Sequence, residues 1–145
     1  MVRTYHHWVL WIVLTGASCV YAEIDTSDKK IQVTHQFIKA FNNQNVEQML
    51  VLVSEDITWH YVSGAEVSTE TVGKKALAES MRNYFSSCPS CRSKLIRIMA
   101  TQERISAWEE ASWEADSGRK KQTSLSVYEF KDDLIQRVYY FPTEK

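Results

Sequence analysis

Three sets of side chains in this 145-residue chain could do chemistry: the thiols of Cys88 and Cys91, the adjacent carboxylates of Glu109 and Glu110, and the phenols of Tyr61 and Tyr128. The cysteines stand in Cys-Pro-Ser-Cys, a spacing that serves thiol–disulfide exchange, half a zinc site or a short structural bridge. A zinc site lacks its other half, because no second cysteine pair exists and only His35 and His60 follow residue 22. Exchange of the thioredoxin kind needs a strand feeding the motif, and here a helical pattern precedes it. A Cys88–Cys91 disulfide is therefore expected in an exported chain, with two free thiols as the alternative.

The glutamates pose a question of register. A carboxylate enclosed between helices and a sheet has its pKa raised by desolvation, which suits a general acid or base, unless it pairs with a cation such as Arg137. Glu110 and Ser112 share one face of their strand and Glu109 the other. Ile105, Ala107, Ala111 and Trp113 form the more apolar alternation, and that register turns Glu109 inward and leaves Glu110 solvated. Glu110 is the working candidate, with Tyr61 and Tyr128 beside it as weaker catalytic candidates. A phenol with a pKa of about 10 is a poor base near neutrality. His60 falls on the strand face opposite Trp59 and Tyr61, and His35 at a helix border. No Gly-rich phosphate loop, Gly-x-Ser-x-Gly elbow or metal-type acidic cluster is present, so neither metal nor cofactor is expected.

Those residues must be carried by elements. Apolar positions Ile31, Phe37, Ile38 and Phe41, with Thr34, repeat at helical spacing up to Asn42. Asn45 with Gln48 three residues on makes a capping box for a short second helix whose buried side is Val46, Met49, Leu50 and Val53. From Asp56 the period becomes two, which sets Ile57, Trp59 and Tyr61 on one side. Ser63 to Ser68 reads as a loop with at most a short strand. Gly73 precedes a third helix with Leu77, Met81 and Tyr84 or Phe85 on one face. Four strands then follow, over residues 94–101, 104–115, 122–130 and 134–141. Helices early and hairpin-linked strands late predict an α+β domain, with helices on one face of a curved antiparallel sheet.

The first 22 residues read as a signal peptide: Arg3, an apolar run from Trp8 to Leu14, and Val20-Tyr21-Ala22 before Glu23. The run is well short of the roughly 20 residues a membrane span needs. Residues 23–145 then form one domain, secreted or periplasmic. A net charge of −1, with no basic face, argues against a nucleic-acid partner.

Four segments together resemble the nuclear transport factor 2-like superfamily, and within it the SnoaL-like branch. They are Phe41 through Tyr61 with its Ser-Glu-Asp knee, Thr71-Val-Gly-Lys-Lys-Ala-Leu, the Trp-rich strand with Trp108 and Trp113, and Val127-Tyr-Glu-Phe-Lys-Asp-Asp-Leu-Ile-Gln-Arg-Val. The last departs from the usual pattern, with Asp133 where the family favours Gly. The resemblance implies a cone-shaped fold: a bent sheet around the first helix, enclosing an apolar cavity. It implies a cavity wall of Trp59, Tyr61, Glu110, Ser112, Ser126, Tyr128, Arg137, Tyr139 and Phe141, suited to a small apolar or aromatic molecule. It also implies a homodimer through the sheet's outer face, at Leu125, Val127, Val138 and Tyr140. Isomerase-type relatives place a base, a phenol and a protonated acid at the positions of Tyr61, Phe37 and about Ser126. All three groups are missing, so steroid-isomerase chemistry is not expected.

Overall fold

The computed structural model describes residues 26–143; segment 1–22, read above as a signal peptide, lies outside them. Helix α1 (Thr26–Asn42) turns Phe37 and Ile38 into the core along with Thr34, whose hydroxyl donates to the Lys30 carbonyl at 2.9 Å. Asn45 ends the break after α1 by accepting the Gln48 N–H at 2.9 Å, which starts α2 (Val46–Val51). Helix α3 (Lys74–Ser87) buries Leu77, Ala78, Met81 and Phe85. Just beyond it Cys88 and Cys91 are joined by a disulfide, their Cα atoms 5.4 Å apart.

Six strands follow the order β2-β1-β6-β5-β4-β3: β1 (Val53–Ser63), β2 (Glu66–Val72), β3 (Arg92–Ala100), β4 (Arg104–Ala115), β5 (Gly118–Lys131) and β6 (Leu134–Pro142). The fold is the expected α+β cone, with the three helices against the concave face of a curved, unclosed sheet. The sheet is mixed, however, because β1 and β6 run parallel. The chain closes its two halves by laying the last strand beside the first, a long-range pairing that hairpin signals cannot reveal.

Strand β2 begins inside the Ser63 to Ser68 stretch, which reads in the sequence as a loop with at most a short strand, and runs on to Val72. Only Thr71 of its residues is buried, so an edge strand there carries no apolar alternation to betray it. The closing turn explains the departure from the family pattern: Asp132 and Asp133 have φ of 50° and 63°. Two left-handed residues form the turn a tight hairpin favours, and aspartate is among the few residues besides glycine to tolerate them.

One irregularity decides which side chains of β6 face inward. Strand β6 pairs Ile135 with Phe130, but the next pair is Arg137 with Glu129, so Gln136 has no partner in β5. This β-bulge reverses the alternation. Ile135 and Val138, three residues apart, are both fully buried. The outer-face assignment of Val138 and Tyr140 is corrected: both turn inward, and Tyr139 and Phe141 take the outer face with Leu125 and Val127. His60 lies on the outer face as expected, stacked on Tyr139 at 4.8 Å between the hydroxyls of Thr58 and Thr69.

Candidate functional site

The concave face and the helices border a partly open cavity of about 340 Å³. Helix α1 supplies Phe37, Ile38 and Phe41, α3 supplies Ser80, Met81 and Tyr84, and β1 supplies Trp59. The strands β4, β5 and β6 add Glu109 and Ala111, then Ser124, Ser126 and Tyr128, then Tyr140; Ser93 of β3 and Glu70 and Thr71 of β2 complete it. Phe37 anchors the aromatic wall, its ring 6.3 Å from those of both Trp59 and Tyr128. Phe41 and Tyr84 continue that wall at 5.7 Å. A second depression of about 540 Å³ lies open along the β1–β2 hairpin, and all its lining residues, Tyr61 among them, are exposed.

The strand pairing selects Glu109 over Glu110. Ile105 and Ala107 are fully buried in β4, and period two carries Glu109 into the cavity, where it is 7% exposed. Its carboxyl accepts from the Tyr128 hydroxyl at one oxygen and from the Ser93 hydroxyl at the other, the latter at 2.9 Å. Burial pushes this carboxyl above its ordinary pKa, against hydrogen bonds from Tyr128, Ser93 and Ser126 that pull it down. The Tyr128 hydroxyl is driven well above its usual range, by burial first and then by the neighbouring Glu109 charge. Glu109 takes part in none of the ion pairs among the described residues.

Of the wall read from the sequence, Trp59, Ser126 and Tyr128 do meet around the cavity. The remainder is corrected. Glu110 lies on the outer face, bonded to Lys121 at 2.9 Å, and this hydrogen bond holds its carboxyl below the ordinary value. Ser112 shares that face and accepts from Arg119. Arg137, Tyr139 and Phe141 are turned out by the Gln136 bulge, and Arg137 pairs with Glu129 at 3.0 Å. Tyr61 stands at the rim, stacked on Tyr140 at 6.1 Å. Trp108 is on the outer face and 44% exposed. The apolar alternation around Glu109 was the signal for the carboxylate; nothing local signals Tyr140 or Thr71.

The SnoaL-like domain profile matches residues 34–138, which hold every cavity-lining residue named above except Tyr140. The chain belongs to the SnoaL-like domain family, in the nuclear transport factor 2-like superfamily. Solved structures share the fold at low identity. Bal32a from a soil-derived mobile gene cassette aligns at a TM-score of 0.69 and 15% identity, over 79% of this SnoaL-like chain and 89% of that one. A putative ketosteroid isomerase from Kribbella flavida aligns at 0.68 and 16% identity, over 83% and 82%. An LEH-like epoxide hydrolase from M. tuberculosis aligns at 0.67 and 15%, over 83% of each chain. No curated protein matches the sequence.

Proposed function

We propose that this SnoaL-like protein is exported and binds a small, largely apolar ligand in its cavity. The observation that carries the reading is a partly open cavity of about 340 Å³ with aromatic walls and isolated polar groups. Small-molecule sites have this character, at volumes of about 300–1,000 Å³. Aromatic faces supply contact area, and isolated polar groups fix orientation. The neutral, environment-sensitive dye prodan tests it. Its emission should shift blue and intensify with the wild-type protein, and Ala111→Trp, which fills the cavity from β4, should abolish the change. An unaltered response in that variant overturns the reading.

A catalytic reading has one observation in its favour, the buried Glu109–Tyr128 contact on the cavity wall. A carboxyl with a raised pKa keeps its proton to higher pH than an ordinary glutamate, which suits a group that donates and takes back a proton. Of the phenolic candidates, Tyr128 remains inside the cavity and Tyr61 sits at its rim. Structures described as a putative polyketide cyclase and an epoxide hydrolase share the fold, which by itself assigns no reaction.

Export is supported by the pattern of residues 1–22, and a homodimer by the apolar outer stripe of Trp108, Leu125, Val127 and Phe141. Mass and sedimentation of protein recovered outside the cytoplasm read both: a chain beginning at Glu23, and a particle of twice its mass. A chain that retains residues 1–22, or a monomer at high concentration, would refute the respective claim.

A further inference from the structure

The polar groups of the cavity are of one electrical kind. Glu109 is buried on the β4 wall and Glu70 lies exposed at the β2 edge of the cavity, accepting from Ser68, while among the described residues no lysine, arginine or histidine lines the space. Glu109 is held by hydroxyls, so it is hydrogen-bonded yet has no counter-charge among the described residues. Thr71, on the β2 wall, is 7% exposed, and its hydroxyl has no hydrogen-bond partner among the described residues. Strands β2 and β4 are separated by three strands in the sheet, so these polar groups sit on opposite walls with Phe37 and Trp59 between them.

From this arrangement we infer that the cavity selects an organic cation: a protonated amine on an apolar, aromatic-sized body. The inference deepens the ligand-binding reading above and rests on it. The ammonium group supplies the charge that Glu109 lacks, and the aromatic wall is attractive to a cation through its ring faces. A carboxylate ligand would meet two like charges and no cation. Thr71 offers a hydrogen bond to the far end of the same molecule.

The inference sets a pH dependence. The titratable groups that share the cavity with Glu109 are Tyr128 from β5, Tyr140 from β6, Tyr84 from α3 and Glu70 from β2; the lining residues of α1 and β1 are apolar, and β3 contributes Ser93. Burial holds the Glu109 proton to higher pH than in an ordinary glutamate. Amine affinity should therefore rise with pH as Glu109 ionises, and binding should release protons below that point. A neutral ligand of the same shape should show little of either effect.

Three molecules with one skeleton provide the test: 2-(2-naphthyl)ethylamine, 2-(2-naphthyl)ethanol and 2-naphthylacetate, titrated calorimetrically into the full exported chain at about pH 7.5. The amine should bind roughly tenfold more tightly than the alcohol, in line with a cation–π and charge contact, and the acetate more weakly than either. Glu109→Gln should bring the amine down to the alcohol and leave the alcohol within about threefold of its wild-type affinity. The pH dependence of the amine-to-alcohol ratio needs no variant, so a misfolded Glu109→Gln would still leave a decisive measurement. Equal binding of amine and alcohol at all pH values overturns the cation inference while sparing an apolar ligand. Binding of none of the three overturns both.

Discussion

Glu109 and Glu110 are neighbours of identical chemistry with opposite circumstances. Glu109 lies among hydroxyls and aromatic rings on the concave face, and burial raises its pKa. Glu110 lies on the outer face against Lys121, which lowers it. The difference comes wholly from strand parity: one residue along β4 exchanges a low-dielectric cavity for solvent. A carboxylate's capacity for binding or proton transfer here is therefore a property of the strand's register, and register is set by its partners in β3 and β5.

The harshest way to break the contrast between faces is to place a charge on the inner one. Val138 is fully buried and Leu125 is exposed on the outer face, so Val138→Asp should cost at least about 3 kcal/mol and Leu125→Asp far less. Urea unfolding measures both; equal losses would mean that the bulge does not set the inner face.

The two glutamates themselves come next. Glu109→Ala strands the hydroxyls of Tyr128 and Ser93 in a buried site and should cost about 2–3 kcal/mol. Glu110→Ala removes an exposed pair and should leave the denaturation midpoint where it was. Titration sharpens the same contrast, because the two groups have opposite linkage signs. Folded Glu109 keeps its proton to higher pH than the unfolded chain does, so its contribution to stability declines as pH rises from the ordinary glutamate value through the raised one. Folded Glu110 has a depressed pKa, so its contribution is present above the ordinary value and is lost as pH falls through the depressed one. Stability–pH curves of Glu109→Gln and Glu110→Gln, each subtracted from wild type, should therefore slope in opposite directions. Curves of the same sign would contradict the assignment of faces.

The smallest effect probes the other wall. Thr71→Val replaces a buried hydroxyl that lacks a partner among the described residues with a methyl of the same shape, and should stabilise the ligand-free protein by about 1 kcal/mol. A destabilised variant would show that the hydroxyl is already satisfied in solution. On the outer face, by contrast, the His60 ring is bonded to both Thr58 and Thr69.

Much of this architecture is legible along the chain because it is local. The helical periodicity of α1 and α3, the Asn45 cap, the Cys88–Cys91 spacing and the alternation of β1, β4 and β5 each involve a few neighbouring residues and repeat as elementary geometry dictates. The apolar alternation Ile105, Ala107, Ala111 and Trp113 offers Glu109 for the inside as the alternative to Glu110, the working candidate. Only the tertiary structure decided the rest. The parallel β1–β6 contact joins residues some 80 positions apart, and β2 pairs as an edge strand without burying an apolar face. The single unpaired residue at Gln136 turned Arg137, Tyr139 and Phe141 out and brought Tyr140 in. Period two propagates an error of one residue to the end of a strand. The local pattern therefore determines which residues share a face, and a distant bulge or partner strand determines which face meets the cavity.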